Sequence, residues 1–157
     1  MNAKKTIVVG VDGSEAGRRA LRWALEEAAG TGSEVQAITA WSFEVSVVPG
    51  VNDPFTAAQR AEKILADDVA AVTAGGNGTV VVQRTVEGPA AQMLVDAAAD
   101  AALLVVGSHR HGRLFEAILG SVTAGCLRHA TCPVVVVPPT SGAPHRQSPA
   151  VLTGPMY

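Results

Sequence analysis

At 157 residues, 48% of them hydrophobic but only 4% aromatic, the chain suits one domain whose core is built from closely packed Ala and Val. A formal net charge of −2 lacks the basic excess on which nucleic-acid binders rely, so DNA or RNA is not expected as the main partner. No stretch approaches the roughly 18 consecutive apolar residues of a membrane-spanning helix.

Lys4 and Lys5 precede an apolar run, but Gly10 and Asp12 interrupt it at once, so it lacks the apolar core of a signal peptide. A cytoplasmic protein without a membrane partner is the expectation. Residues 6–11, TIVVGV, read as a first strand, closed by the turn and helix-start cluster Asp12-Gly13-Ser14. Apolar residues at helical spacing (Ala20, Leu21, Trp23, Ala24, Ala28) predict a helix over 16–29, broken by Gly30-Thr31-Gly32. Residues 35–41 form the second strand, and Pro49, Gly50 and Pro54 mark a long loop over 42–54. A helix over 55–74 follows from Ala58, Ala61, Ile64, Leu65, Val69 and Val72 sharing a broad face. Beyond the break GGNG at 75–78 lie a third strand (79–86), a helix opened by Gly88-Pro89 and running to about Ala99, and a fourth strand (101–106). A last helix ends near Ala130, and residues 133–137 are the fifth strand. The domain is therefore placed at 1–138, and the Pro- and Ser-rich segment 139–157 reads as a mobile tail whose last few residues could dock.

Strands that are near-continuous apolar runs, alternating with helices, imply an α/β fold: a parallel sheet covered on both faces. Ligands of such sheets sit beyond the carboxyl ends of the strands, where the winding direction reverses. The loops richest in suitable residues follow strand one (10–14) and strand four (107–120), and they form two lips of one cleft only if those strands are neighbours.

Residues 107–123, GSHRHGRLFEAILGSVT, combine a strand end, a basic glycine-bearing loop and a helix start. A helix N-terminus presents unpaired N–H groups and partial positive charge, and glycine admits an anion close to the backbone. His109, Arg110, His111 and Arg113 can supply cations to a polyphosphate; the competing reading is a solvated loop. His109 and His111 could also hold a metal, but no third ligand is nearby. Gly107 permits a sharp turn, while Gly120 and Ser121 should offer N–H groups and a hydroxyl; Ser121 could instead only cap the last helix. The spacing from Gly107 to Gly112 opens like a P-loop, but Arg113-Leu114 stand where Lys and Ser/Thr are required. Asp12 could hold a ribose or, through Mg²⁺, phosphates; equally it could serve the turn before helix one. Ser14 is the expected N-cap. No catalytic constellation emerges from the spacing.

The motifs Ile7-Val-Val-Gly-Val-Asp-Gly-Ser14, Glu87-Gly-Pro-Ala90, Leu103-Leu-Val-Val-Gly-Ser108 and Leu119-Gly-Ser-Val-Thr123, together with residues 128–137, RHATCPVVVV, resemble the universal stress protein family in its nucleotide-binding branch. That resemblance covers about residues 4–138 and implies a five-stranded parallel sheet of order 3-2-1-4-5, which makes strands one and four neighbours. It further implies ATP binding, with Mg²⁺ at Asp12 and cyclic AMP as the other candidate ligand, and signalling through the bound state. By position it assigns Val11 and Asp12 to the nucleoside and Ala40 to the adenine. Gly107 and Gly120 would shape the phosphate cradle, and Ser121, Val122 and Thr123 would receive the phosphates through hydroxyl and N–H groups. It also implies a homodimer through pairing of the last strand, Val134 to Pro138. The sequence departs from the family's glycine pattern at Arg110 and Arg113; Gly112 could take over the close approach, with Arg110 turning onto the phosphates. The alternatives are a dimeric interaction protein of the same fold without nucleotide, and a slow ATPase that modifies itself at Ser121 or Thr123.

Overall fold

The structure, a computed structural model, describes residues 5–43, 53–76, 78–108, 119–139 and 150–152, the last three by their backbone. Its elements in chain order are β1 (Thr6–Gly10), α1 (Glu15–Thr31), β2 (Glu34–Trp41), α2 (Pro54–Thr73), β3 (Val81–Glu87), α3 (Ala90–Ala97), β4 (Leu103–Gly107), α4 (Ser121–His129), β5 (Val134–Val137) and β6 (Ala150–Leu152). The sheet runs β3-β2-β1-β4-β5-β6, with β1 to β5 parallel, so the expected 3-2-1-4-5 order is present. β1 pairs on one side with β2 and on the other with β4, and the winding direction reverses between β1 and β4.

The period-two alternation of each strand divides the interior into two cores. Ile7, Val9, Val35, Ala37, Val105, Val135 and Val137 pack against α1 (Ala20, Leu21, Ala24, Leu25) and α2 (Leu65, Val69). Val8, Ile38, Leu104, Val106, Val134 and Val136 face the other way, onto Leu94 of α3 and Cys126 of α4. A strand buried on both faces has no room for a polar alternation, which is why these strands read as continuous apolar runs.

Some boundaries differ from the sequence expectation. α1 continues through Gly30 to Thr31 and closes at Gly32, whose φ of 69° and N–H bond to Ala28 O make a left-handed cap. An exposed Gly30 in a last turn costs only about 1 kcal/mol, too little to end the helix early. α3 stops at Ala97, because the chain must turn at once to deliver Ala102 N–H to Thr6 O and start β4.

The segment read as a mobile tail contains a strand: β6 lies antiparallel on β5, with Val134, Val135 and Val136 opposite Leu152, Val151 and Ala150. β5 ends the parallel sheet, and an edge strand exposes unpaired N–H and C=O groups that any extended segment can take. That local chemistry is invisible in the tail's own composition.

Both cysteines, Cys126 and Cys132, are free and buried. Burial, aided by the nearby Cys132, pushes the Cys126 thiol from 9.0 up to about 11. The fold thus disfavours the thiolate, and its stability is intact below about pH 9 and falls as pH climbs toward 11. At about 1.4 kcal/mol per pKa unit, the loss is about 2–3 kcal/mol. Urea denaturation across that range, with Cys126→Ala expected to flatten the slope, checks it.

Candidate functional site

At the carboxyl end of the sheet, between the loops after β1 and β4, lies a cavity of about 290 Å³. It falls at the switch point where open α/β sheets take their ligands, and its size is near the lower end of ligand pockets. Val11, Asp12, Ala40, Gly107, Gly120, Ser121, Val122 and Thr123 all line it. The end of β1 with the start of α1, and the end of β4 with the start of α4, therefore meet in one cleft although far apart in sequence. Arg110 and Gly112, together with His109, His111 and Arg113, lie outside the described residues.

One wall of the cavity is apolar: Ile38, Ala40, Ala90, Leu94 and Val106. Val11 is fixed against it, its N–H donating to Ile38 O at 2.9 Å while its carbonyl accepts from the buried Thr39 hydroxyl at 2.9 Å. The start of α3 is tied to the same place, since Gly88 N–H donates to Trp41 O at 2.8 Å.

The opposite wall is the first turn of α4. Gly120 occupies the N-cap, so no side chain caps this helix; Ser121 is its first helical residue rather than the cap. The earliest helical bond runs from Ala124 N–H to Gly120 O, 2.9 Å, and the N–H groups of Ser121, Val122 and Thr123 precede it without an acceptor in the helix. These amides carry the positive end of the helix dipole into the cleft. The Ser121 side is exposed, whereas Thr123 is 3% exposed and its hydroxyl donates to Gly107 O at 3.4 Å. Thr123 thus links α4 to β4, and what it can offer the cleft is its N–H.

Gly107 has a sharper reason to be glycine than the turn alone. A Cβ there would stand 2.2 Å from Ala16 O and 2.5 Å from Ala16 C, so the first turn of α1 lies directly on the end of β4. At Gly120, with φ −60°, an added Cβ meets no atom of the described residues within 4 Å, and Gly120 itself lines the cleft.

Asp12 performs the turn role that the sequence offered it. Its Oδ1 accepts from Ser14 N–H at 3.0 Å and from the Ser14 hydroxyl, while Ser14 Oγ caps α1 by accepting from Gly17 N–H at 3.1 Å. The carboxylate is held at the cavity wall in this way. Among the described residues no group of three or more His, Cys, Asp or Glu side chains is arranged for a metal ion.

Sequence reasoning missed Gly10, Gly17, Ile38, Ala90, Leu94 and Val106 as lining residues. Signals for several were present: Ile38 is two residues from Ala40 on one strand face, and Ala90 and Leu94 stand four apart on one helix face.

The fold and this cleft define an α/β protein with a ligand site at the sheet's switch point. The profile of the Universal stress protein family matches residues 4–138, and the chain belongs to that family. Universal stress protein Rv2623 of Mycobacterium tuberculosis is 36% identical over 166 aligned residues, covering 98% of this chain and 54% of the relative. Universal stress protein Rv2005c of the same species is 39% identical over 132 residues, covering 83% and 44%. The chain spans about half the length of these curated relatives. Among solved structures, a universal stress protein in complex with cAMP superposes with a TM-score of 0.64 at 28% identity, covering 87% of this chain and 98% of the other. A Burkholderia pseudomallei protein of the family superposes with a TM-score of 0.66 at 30% identity, covering 86% and 96%. No helix among the described residues is long and apolar enough to cross a membrane.

Proposed function

We propose that this protein binds an adenine nucleotide in the cleft between β1 and β4 and signals through its bound state. The observation that carries the reading is the pairing of an apolar wall (Ile38, Ala40, Leu94, Val106) with the uncapped first turn of α4 in one cavity. A nucleotide needs both: a dry recess for its base and oriented N–H donors for its phosphates. The 28%-identical relative in complex with cAMP supports this choice of ligand.

In this arrangement the base lies against Ala40 and Val11, the ribose reaches Asp12, and the phosphates meet the N–H groups of Ser121, Val122 and Thr123 with the Ser121 hydroxyl. ATP is the leading ligand and cyclic AMP the other. Mg²⁺, where ATP brings it, would rest mainly on the phosphates, because Asp12 is the sole carboxylate among the described lining residues. Among the described residues, Gly107 and Gly120 add no side chain to that end of the cleft.

Calorimetric titration of nucleotide-stripped protein with ATP–Mg²⁺, ADP and cyclic AMP tests the reading. Saturable binding of at least one of them is expected. Absence of heat from all of them at high protein concentration would leave a nucleotide-independent interaction protein of the same fold.

The homodimer would form on the β5 edge, the place β6 occupies. β5 is four consecutive valines, Val134–Val137, and the antiparallel β6 lies on this edge in the orientation that a two-fold dimer requires, which supports the reading. The chain's own β6 and a second copy of β5 thus compete for one set of backbone groups. Val135 and Val137 turn their backbone groups toward β4, so the bonds to β6 run from Val134 and Val136 to Leu152 and Ala150, and proline breaks a ladder where the lost N–H faces the neighbour. Leu152→Pro should therefore shift the sedimentation profile toward dimer; a profile unchanged from the parent would remove the competition.

A further inference from the structure

Asp68 lies on α2, away from the cavity lining, and is 5% exposed. It sits on the apolar stripe that includes Ala61, Leu65 and Val69, where an acid needs a reason. Both of its oxygens are engaged. Oδ2 accepts from Gly13 N–H at 3.0 Å, and Oδ1 accepts from Arg18 Nη1 at 3.0 Å. Arg18 Nη1 also donates to Gly13 O at 3.0 Å, and its Nε donates to Glu15 Oε2 at 3.0 Å. The N–H and the C=O of a single loop residue are therefore clamped by an ion pair whose members come from different helices.

Gly13 has φ 82°, a left-handed conformation suited to glycine, and a Cβ there would stand 3.2 Å from Ile64 Cγ2 of α2. So α2 walls the loop as well as bonding to it. Asp12, which lines the cavity, shares its following peptide bond with Gly13. If that peptide rotated, the Gly13 N–H would leave Asp68 and the Asp12 carboxylate would leave the Ser14 amide. The helices themselves do not need the ion pair to dock, because Leu65 and Val69 already share a core cluster with Leu21, Ala24 and Leu25.

We propose that Asp68 is a positioning residue for the nucleotide cleft: acting with Arg18 through Gly13, it holds Asp12 in its ligand-facing position, so that this ion pair, rather than the packing of α2 as such, sets the affinity of a site it does not touch. The proposal rests on the nucleotide reading above. A buried charge pair is weak evidence of stabilisation by itself, and its convergence on one loop residue gives it a definite task.

The test uses the full chain carrying Asp68→Asn, Arg18→Gln or, as a control, Leu65→Ala. Whichever way the amide introduced by Asp68→Asn turns, its oxygen can serve only one side while its NH₂ confronts another donor, so one of the two bonds is lost. Melting temperature, calorimetric Kd for ATP–Mg²⁺ and cyclic AMP, and amide hydrogen exchange at residues 12–14 are measured on each. The proposal expects Asp68→Asn and Arg18→Gln each to weaken nucleotide affinity at least fivefold. It expects Leu65→Ala, with an equal or larger drop in melting temperature, to keep Kd within twofold of the parent. Should Asp68→Asn not fold, the change at the partly exposed Arg18 carries the comparison. Kd within twofold in the position-68 and position-18 variants overturns the proposal, as does a Kd that merely follows melting temperature across all of them. If the parent itself binds no nucleotide, the function reading fails separately. The exchange data then decide: faster exchange confined to residues 12–14 sustains the positioning role, and an unchanged pattern ends it.

Discussion

Gly120→Val weakens the affinity for ATP or cyclic AMP at least tenfold while the melting temperature stays close to that of the parent. The expectation follows from where the missing side chain would go. Gly120 has φ −60° and ψ 161°, an extended conformation open to any residue, so valine brings no backbone strain. Among the described residues its Cβ would meet no atom within 4 Å, so the fold loses only the modest cost of a poorer N-cap residue. The space it enters is the cleft beside the uncapped amides of α4, where the phosphates are proposed to bind. A tenfold change is about 1.4 kcal/mol, less than the cost of displacing one or two charge-assisted hydrogen bonds. Paired thermal melts and calorimetric titrations measure both halves. An unchanged Kd with a normal fold would take the phosphates away from this turn.

Gly107→Ala has the opposite profile, with its main effect on stability. The new methyl would lie 2.2 Å from Ala16 O and 2.5 Å from Ala16 C, and both of these atoms belong to the backbone of α1. A flexible side chain could move aside, but the first turn of a helix cannot do so alone. α1 would have to lift from β4, opening the core in which Ala20, Leu21 and Val105 meet. Overpacking costs typically about 1–3 kcal/mol, and a backbone collision belongs at or beyond the upper end. For a chain of this size that corresponds to a fall in melting temperature of about 6–12 °C, measurable by circular dichroism. A fall of only a degree or two would mean that α1 and β4 are less closely apposed than described. Nucleotide affinity should fall too, since lifting α1 carries Asp12 and Gly17 away from the opposite lip.

These glycines also mark what a sequence can and cannot disclose. Sequence predicts that residue 107 is special, because glycine ends an apolar strand before a basic loop. It cannot supply the reason, since Ala16 meets Gly107 only after β1 and β4 have paired. The same holds for the cleft: the lips at 10–14 and 107–123 are each recognisable, but their meeting depends on a strand order that only the family resemblance implied. β1, β4 and β5 are plain in the sequence as apolar runs because they are buried on both faces. β6 is not, because what makes a strand of Ala150–Leu152 is the open edge of β5 rather than its own composition. Asp68 carries a local signal, an acid among the inward positions of α2, but the apolar members that define the helical stripe do not reveal its role. Residue type makes Ser121 a candidate cap, whereas the cap is Gly120, and the absence of a capping side chain leaves the first amides of α4 available to the cleft.

Backbone amide spectra of the isotope-labelled full chain, titrated with ATP–Mg²⁺ and then with cyclic AMP, test the central claim most directly. Saturable shifts should concentrate at Val11, Asp12, Ala40, Gly107 and the amides of Ser121, Val122 and Thr123, on both lips at once. Shifts scattered over the opposite end of the sheet, around Ala28 and Gly78, or no saturable shift with either nucleotide, would contradict it.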